Sequence, residues 1–534
     1  MIRVRGRHLP ALLSCMAGIA LFAVSIGGTY IYDDHGIIQN DPRIRDPALW
    51  HLYWTQSYNG GVDNLYRPLV SMTYAIQWWL HGDRPWVFHL LNVLLHGASS
   101  ACAAELARRL AGQRAAWFAG LLFAAHPIHV EAVANIVGRA ELMCALGTLG
   151  ALVLMLRPLT PGRAVAIAAC FVLALLSKEQ GMLVPVLLLI LGLSRRLGGG
   201  TLDAELAAET VPVDPARLRQ GRLLLTLLLC WGLAGYVVWR ESILKFWWDR
   251  NFLDWTINPM VPSEWHPYGG SVGRDRWLMP LALLGRYAAL LVLPIRLSPD
   301  YGAKVIGWSV RLSDPYLWIG AAAVLVWCVA TVVSLLKRSA AGVFAALALA
   351  MSYGIVGNIV ALIGVNFAER LMYLPSAFFL LLVAMALTRL PRPIFVGITT
   401  IALVLASIRT VSYAARWNDR LEFYRRSLQE QPQSIRLVML LAAEYAARGQ
   451  LDEAEQVVRH GTRMLPEYWD IWKQRGVIAM MRGDWEEAAR CFDIAANIRP
   501  SAGILGAKAE LEAQRRAAEQ KTATTPPATT RWSR

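Results

Sequence analysis

The sequence predicts an all-α protein, with a polytopic α-helical membrane domain followed by an α-solenoid of helical repeats. Hydrophobic residues make up 56% of the 534 residues and charged residues only 17%, and the mean hydropathy is +0.38. This composition is too apolar for a soluble chain of this length. Apolar runs recur through the first 410 residues, and beyond them the pattern changes to amphipathic helices that repeat at a fixed period.

The apolar runs predict about eleven membrane spans. They lie at residues 9–31, 86–107, 114–126, 140–156, 164–177, 180–194, 222–240, 315–336, 341–363, 371–388 and 394–410. Segment 278–296 is apolar enough to be a twelfth span, but it contains Arg286 and follows a long Trp-rich polar stretch. We expect an interfacial or re-entrant helix there, because a twelfth span would move the later basic clusters to the outer side.

The basic residues lie in short runs between the apolar segments. Lys and Arg total 53 against 38 Asp and Glu, but this distribution is typical of cytoplasmic loops rather than of a nucleic-acid surface. With eleven spans, the N-terminus is cytoplasmic and the C-terminal repeats lie outside. We expect an inner (plasma) membrane location, with the endoplasmic reticulum membrane as the alternative. The seven cysteines are scattered and predict neither a disulfide frame nor a zinc site.

A repeat of 34 positions follows the last span. The residues that mark it are Gly449, Leu451, Ala454 and Pro466, followed by Gly483, Trp485, Ala488 and Pro500. This period and its closing proline resemble tetratricopeptide repeats, whose paired helices stack into a solenoid. We therefore predict a membrane domain at 1–412, repeats at 413–507 and a disordered tail at 508–534. The repeats comprise a half-repeat at 413–432 and full repeats at 433–466 and 467–500.

Charged side chains lie at helix ends on the predicted outer side, which includes a first loop at 32–85 and a long loop at 241–277. A charge at the centre of a membrane helix costs roughly 2.5 kcal/mol or more, so a group of charges at one face indicates a working site. Asp33 and Asp34 begin the first loop. Adjacent carboxylates point to different sides of an extended backbone, so one can face an acceptor while the other holds a metal or a base. The alternative is a polar cap at the helix end.

The loop after the third span carries His126, His129 and Glu131. This spacing brings the three side chains within reach of one another, and such a trio can bind a divalent ion or position a carboxylate. The metal set that we consider is Asp34 with these three residues. The alternative is that the histidines satisfy backbone groups around Pro127, where the span ends.

Cations on the outer side form the third group of candidates. Arg67, Arg139 and Arg370 lie where a lipid phosphate would be, and the guanidinium fork matches phosphate oxygens. Snorkelling arginines occupy the same depth without a ligand. Lys178 and Glu179 close a short turn between two spans, where they can pair with each other.

These motifs together carry a family resemblance. Their order is Tyr32-Asp33-Asp34, Tyr66-Arg67-Pro68-Leu69, the long run 126–141, Ser177-Lys178-Glu179-Gln180-Gly181, the run 367–376 that contains Ala-Glu-Arg, and then the repeats. The chain resembles the transmembrane and tetratricopeptide repeat-containing family of O-mannosyltransferase-like enzymes, within the GT-C class of membrane glycosyltransferases. The resemblance covers about residues 10 to 500, and animal members of the family carry more repeats than the two and a half found here.

The resemblance implies a role for each motif. Asp33 matches the catalytic base of the class and Asp34 the acidic residue that follows it. Arg370, with Arg67 and Arg139, would contact the donor phosphate. Further residues would shape the site or contact the acceptor: His35, His126, His129, Glu131, Glu141, Lys178 and Glu179. We expect no required cofactor, and a divalent metal ion is the alternative.

The implied activity is transfer of mannose or another hexose from a polyprenyl-phosphate donor to a protein hydroxyl or a glycan on the outer face. The leaving phosphate is already anionic, so a base for the acceptor and cations for the phosphate suffice for an inverting displacement. The repeats would recruit the acceptor, and the membrane lipid would deliver the donor. Two alternatives are a non-catalytic membrane-anchored scaffold for protein–protein interactions and a flippase for a lipid-linked sugar. A flippase needs polar residues at mid-membrane depth, where the sequence offers mainly Asn92 and Asn358.

Overall fold

The computed structural model describes residues 6–60, 65–197, 213–244, 254–262, 266–267 and 269–524. These residues form helices joined by turns, and no strand occurs among them. The predicted all-α fold class is therefore confirmed. Parts of the two predicted outer loops, at 61–64 and 245–253, lie outside the described residues.

The chain divides into two compact units. The first comprises Met1–Asp254, Ser271–Pro299 and Trp308–Arg420, and the second comprises Trp255–Gly270, Asp300–Gly307 and Leu421–Arg534. This division differs from the predicted boundary at 412, because two loop segments that precede the last spans pack with the repeats.

The α-helices of the first unit are α1 Leu9–Phe22, α2 Pro42–Arg45, α3 Leu52–Thr55, α4 Pro68–His81, α5 Pro85–Ala125, α6 Val130–Ala134, α7 Arg139–Met155, α8 Pro161–Leu175, α9 Val184–Leu197, α10 Pro215–Leu244, α11 Asp275–Val292, α12 Pro315–Leu336, α13 Ala340–Val356, α14 Tyr373–Leu387 and α15 Arg392–Ala414. Of the described helices, eight are long and apolar enough to cross a membrane by length and composition, counted with their 3₁₀ extensions: Leu9–Gly27, Pro85–Ala125, Ile136–Met155, Glu179–Leu197, Pro215–Leu244, Pro315–Leu336, Glu369–Leu387 and Arg392–Asn418.

The eleven predicted spans all coincide with helices. The helix α5 bends at Gly112, whose φ of 84° is in the left-handed region that favours glycine. Its two arms therefore cover two predicted spans, 86–107 and 114–126. The shorter apolar helices α8 and α13 cover two more. The chain is thus an integral multi-pass membrane protein.

The segment 278–296 forms α11, which is not among the eight long apolar helices. It packs closely on α12, because a Cβ at Gly285 or at Gly320 would overlap the backbone of the other helix. Arg286 lies 3.6 Å from the Asp314 carboxylate and 4.2 Å from the ring centroid of Tyr316. These contacts explain how α11 accommodates its charge, and its interfacial placement stays a prediction.

The predicted site motifs occupy short 3₁₀ turns. These turns are Pro127–His129, Ile136–Gly138, Glu179–Leu183 and Glu369–Met372, and the last three lead directly into α7, α9 and α14. Two motif glycines permit the close approach that the turns require. A Cβ at Gly138 would overlap the backbone of Ala132, and one at Gly181 would overlap the backbone of Ala174. The turns therefore present charged side chains from positions that the helices hold in place.

The second unit contains helical hairpins with the predicted 34-residue period. Its α-helices are α16 Arg420–Glu430, α17 Ile435–Ala447, α18 Leu451–Met464, α19 Trp469–Met481, α20 Trp485–Ile498 and α21 Ala502–Thr524. Gly449 (φ 75°) and Gly483 (φ 79°) close the α17–α18 and α19–α20 turns. The assignment to the tetratricopeptide class stays a prediction.

Two loop segments complete the core of the second unit. Trp255 and Ala303 are buried in one apolar cluster with Ile435 and Tyr468. The hydroxyl of Ser434, the residue before α17, donates to the Asp300 carboxylate over 2.6 Å. The first hairpin is therefore packed against chain that lies more than 130 residues earlier in the sequence.

The predicted disordered tail at 508–534 is wrong for residues 508–524, which belong to α21. This segment is rich in Ala, Glu and Arg, which are strong helix formers. Ile504 and Leu511 are buried against the preceding hairpin, and Arg515 pairs with Glu519 one turn away at 3.0 Å. Residues 525–534 lie outside the described residues.

Candidate active site

The two adjacent aspartates after α1 have different surroundings. Asp34 is fully buried, and its carboxylate accepts hydrogen bonds from the backbone N–H groups of Ile31 (3.1 Å) and Val137 (3.0 Å). These bonds tie the segment that follows α1 to the turn before α7. Asp33 is half-buried and interacts electrostatically with Arg370. The pair therefore separates into a carboxylate that holds the backbone and one that remains accessible.

The backbone at this pair is unusual. Tyr32 has a φ of 65°, and a bulky residue rarely adopts this left-handed conformation. Such strain is commonly found at functional sites. Burial raises the pKa of Asp34 to about 7, although its backbone donors act in the opposite direction. Asp34 thus positions the segment that carries Asp33.

Arg370 lies at the centre of a group of buried charges. Its Nη1 contacts the Glu131 carboxylate, and its backbone N–H donates to the same carboxylate over 2.9 Å. Its Nε lies 3.7 Å from Glu141 Oε1, and Lys178 Nζ lies 2.6 Å from that same oxygen. The Glu131 side chain is only 1% exposed, whereas that of Arg370 is 21% exposed. Arg370 is therefore the cation of this group that a ligand reaches most readily.

Arg67 and Glu179 form a second pair beside the first. Arg67 Nη2 donates to Glu179 Oε2 over 3.1 Å, and Arg67 also interacts electrostatically with Glu141. The Arg67 guanidinium lies 5.4 Å from the ring centroid of Tyr58. Neighbouring carboxylates raise the pKa of Arg67 although burial opposes the shift. The alternative pairing of Lys178 with Glu179 does not form, because each contacts a different partner.

These contacts make one charged network from five separate segments. Its cations are Arg67, Lys178 and Arg370, and its paired carboxylates are Glu131, Glu141 and Glu179. The charges of these six groups cancel, which is the condition under which buried ions are tolerated. The addition of Asp33 makes the network anionic by one charge. The sequence predicted the members, but only the fold shows which of them touch.

Arg139 is a correction to the predicted phosphate-binding set. It is fully buried, and its guanidinium donates to Asn92, Thr73, Gln77 and the Phe88 carbonyl over 2.6–3.0 Å. It also lies 4.5 Å from the ring centroid of Tyr74. Four of its five N–H groups are therefore used by neutral acceptors of the protein, and Arg139 stabilises the packing of α4, α5 and α7.

The histidines hold backbone rather than a metal ion. His126 Nε2 lies 3.0 Å from the Leu291 carbonyl, and its Nδ1 accepts from the Ile128 N–H over 3.2 Å. His129 Nδ1 lies 2.8 Å from the Phe123 carbonyl, and its Nε2 lies 2.8 Å from Ser376 Oγ. Burial lowers the pKa of His126 to about 4 and holds the pKa of His129 well below its ordinary value. The structure therefore supports the alternative in which these histidines satisfy backbone groups where the span ends.

The predicted metal set is therefore not assembled. Among the described residues, no group of three His, Cys, Asp or Glu side chains is arranged to hold a metal ion. Asp34 and the two histidines are bonded to backbone, and Glu131 is paired with Arg370. His35, predicted to shape the site, contacts the Arg420 guanidinium through Nε2.

Two residues that position the site were not predicted. The Tyr287 hydroxyl donates to the Ala368 carbonyl and accepts from the Ala368 N–H, both over 3.1 Å, and its ring stacks on Phe367 at 3.9 Å. Glu369 is fully buried and accepts from the Ser298 N–H over 2.7 Å. Both fix the turn that presents Arg370. A buried tyrosine within an apolar helix gives no sequence signal for this role.

Comparison with known proteins agrees with the site motifs. A family model described as dolichyl-phosphate-mannose-protein mannosyltransferase matches residues 67–200, the stretch that carries Arg67, the two histidines, Glu131 and Lys178. The chain resembles the protein O-mannosyl-transferases. The resemblance predicted from the motifs is thus confirmed.

Three relatives show its extent. A protein O-mannosyl-transferase of Caenorhabditis elegans is 26% identical over 86% of this chain and 63% of its own length. One of Xenopus laevis is 36% identical over 25% of this chain and 17% of its own length, and one of Homo sapiens is 34% identical over 26% and 17%. The chain therefore spans less than two thirds of the length of these relatives. The solved structure of ArnT from Cupriavidus metallidurans bound to undecaprenyl phosphate is 15% identical, with a TM-score of 0.43 over 90% of this chain and 79% of that one.

Proposed function

We propose that the protein is an integral membrane glycosyltransferase. It moves mannose or another hexose from a polyprenyl-phosphate donor to a protein hydroxyl or a glycan acceptor, at the outer face of the membrane. The similarity of residues 67–200 to a mannosyltransferase family supports the reaction class. The convergence of five charged segments supports the location of the site.

The observation that carries the proposal is the difference in burial and hydrogen bonding between Asp33 and Asp34. Asp34 is buried and accepts two backbone hydrogen bonds, so it is unavailable to a substrate. Asp33 is half-buried and interacts electrostatically with Arg370, the most exposed of the three network cations. A general base needs access to the proton that it removes and a fixed position from which to remove it. Asp33 has the access, and Asp34 supplies the position.

The reaction is a single inverting displacement. The Asp33 carboxylate removes the proton of the acceptor hydroxyl as its oxygen forms a bond to the anomeric carbon of the sugar. The bond from that carbon to the phosphate oxygen breaks, and the phosphate leaves with the electron pair. The products are a glycoside, a polyprenyl phosphate and a protonated Asp33, which returns its proton to solvent. The leaving phosphate needs no proton, so a general acid is not required.

Arg370 and Lys178 are the cations that stabilise the leaving phosphate in this mechanism. Among the described residues, Nη1 is the only guanidinium nitrogen of Arg370 that forms a hydrogen bond, since Nε lies 3.7 Å from Glu141. The remaining N–H groups can donate to phosphate oxygens. Lys178 shares Glu141 with Arg370 and adds a second positive charge at the same place. Donors fixed in a water-poor site stabilise developing charge without reorganisation.

The polar side chains that a flippase would use form hydrogen bonds with other groups of the protein. Asn92 donates to the Asn135 and Ile136 carbonyls and accepts from Arg139. Asn358 donates to the Val365 and Asn366 carbonyls and accepts from the Ile363 N–H. Asn92 thus ties α5 to the turn before α7 and Asn358 closes its own loop, so neither favours a polar path through the membrane.

The test is sugar transfer by the purified full-length protein with radiolabelled polyprenyl-phosphate mannose and Ser/Thr-rich acceptor peptides. We expect Asp33→Asn to abolish transfer while the melting temperature stays within a few degrees of wild type, because Asp33 acts on the substrate. Arg274→Gln is the matched surface control, since the Arg274 side chain is 65% exposed, and it should transfer at the wild-type rate. Turnover retained by Asp33→Asn would remove Asp33 from the mechanism. A wild-type protein that consumes no polyprenyl-phosphate hexose would contradict the proposed function.

A further inference from the structure

At the Arg67–Glu179 pair and the neighbouring Tyr236, three buried polar atoms lack a hydrogen-bond partner among the described residues. They are Arg67 Nε, Glu179 Oε1 and the Tyr236 hydroxyl. Tyr236, on α10, is 5% exposed and interacts electrostatically with Glu179, Arg240 and Arg67. A buried polar group without a hydrogen-bond partner lowers the stability of the protein, so three such atoms at one place indicate a site for a ligand.

The three atoms differ in what they can accept from a ligand. Arg67 Nε–H can only donate, Glu179 Oε1 can only accept, and the Tyr236 hydroxyl can do both. The Arg67–Glu179 pair is neutral as a whole, and its carboxylate would repel a phosphate at Oε1. A group of mixed donors and acceptors matches the hydroxyl groups of a sugar, each of which also donates and accepts.

The position of this group fits that role. Arg67 interacts electrostatically with Glu141, and Glu141 contacts Lys178 and lies 3.7 Å from Arg370. The unpartnered atoms thus lie next to the cations assigned to the leaving phosphate. In a polyprenyl-phosphate sugar, that phosphate is bonded to the anomeric carbon of the ring that carries the hydroxyls.

We propose that Arg67, Glu179 and Tyr236 form the subsite for the hydroxyl groups of the donor sugar, with the Tyr236 hydroxyl selecting one of them. This inference rests on the proposed function and reassigns Arg67 from the phosphate to the sugar. Tyr236 is the specificity-determining residue.

Tyr66 supplies a matched control. Its ring centroid lies 6.2 Å from that of Tyr236, and it is buried as well. Its hydroxyl, however, is used inside the protein, because it donates to the Trp54 carbonyl over 3.1 Å and accepts from Trp239 Nε1–H over 3.0 Å. Tyr66→Phe and Tyr236→Phe therefore both remove a phenol oxygen, but the first breaks hydrogen bonds within the protein and the second does not.

The experiment compares kcat/KM for polyprenyl-phosphate mannose and for each of its monodeoxy analogues. Wild type should use one deoxy donor about tenfold less well than the parent. Tyr236→Phe should lose about tenfold on the parent donor and nothing on that deoxy donor, so its discrimination falls to about one. Tyr66→Phe should melt at a lower temperature and keep the wild-type discrimination, whereas Tyr236→Phe should melt no lower than wild type. Equal use of all deoxy donors by wild type, or unchanged discrimination in Tyr236→Phe, would overturn the proposal.

A binding arm separates this inference from the proposed function. Affinities for polyprenyl-phosphate mannose and for polyprenyl phosphate alone are measured with wild type and Tyr236→Phe. If wild type transfers no sugar, the catalytic proposal fails, yet a loss of about tenfold in glycolipid affinity that spares polyprenyl phosphate would still support the subsite. If both proteins bind the two lipids with the same ratio of affinities, the subsite is wrong whatever the transfer assay shows.

Discussion

Replacement of Glu131 by Gln removes the partner of Arg370 without changing the shape of the side chain. Glu131 is 1% exposed and accepts from both the backbone N–H and the guanidinium of Arg370. Loss of one member of a buried pair costs about 3–5 kcal/mol because the other charge is left uncompensated. Arg370 is 21% exposed and has Glu141 nearby, so we expect about 3 kcal/mol, at the lower end of that range.

The assay is a double-mutant cycle on the unfolding free energy in detergent. Glu131→Gln, Arg370→Met and the double variant are compared with wild type by tryptophan fluorescence. The double variant should be less destabilised than the sum of the single variants by about 2 kcal/mol, because the uncompensated charge is absent from it. The exposed variant Arg274→Gln should change stability by less than about 0.5 kcal/mol. A Glu131→Gln protein within about 1 kcal/mol of wild type, or additive single effects, would refute this account of the network.

Two further predictions concern the elements that position the site. Because the pKa of Asp34 is raised to about 7, the folded state binds more protons than the unfolded state between about pH 4 and pH 7, so this group's contribution to stability falls as pH rises through that window. The melting temperature of Asp34→Asn relative to wild type should therefore increase from pH 5 to pH 7.5, and a constant difference would contradict the burial of this carboxyl. Gly181→Ala should lower both the melting temperature and the transfer rate, because its Cβ would overlap the backbone at the end of α8. Gly192→Ala is the control, since the space around its Cβ is open, and it should change neither quantity. A Gly181→Ala protein with wild-type activity and melting temperature would show that the turn has room to relax.

The positions of the helices followed from local sequence patterns. Each of the eleven predicted apolar runs lies on a helix, because a helix in lipid must satisfy its own backbone and present apolar side chains along its length. The 34-residue period located the hairpins because its signal is also local. Gly449 and Gly483 mark the turn that each repeat needs. The tail was mispredicted because charged composition was taken as disorder, although Ala, Glu and Arg also favour helix.

The partners of the charged residues did not follow from local patterns. Glu131 and Arg370 are 239 positions apart in the chain, and Arg67 and Glu179 are 112 apart. Spacing suggested that Lys178 would pair with Glu179 and that the histidines would share a ligand. Tertiary packing instead placed a carboxylate from a different helix beside each cation and a carbonyl group beside each histidine.

The sequence by itself determined that this protein crosses the membrane many times and that helical repeats follow, and it marked a small set of charged residues as candidates for a site. These properties depend on composition and on periods of a few residues, which the chain displays directly. Only the tertiary structure decided that Asp34 and Arg139 hold the scaffold while Asp33 and Arg370 remain accessible. Accessibility and pairing depend on which distant segments surround a side chain, and the free energy of a buried charge is set by those neighbours rather than by its place in the sequence.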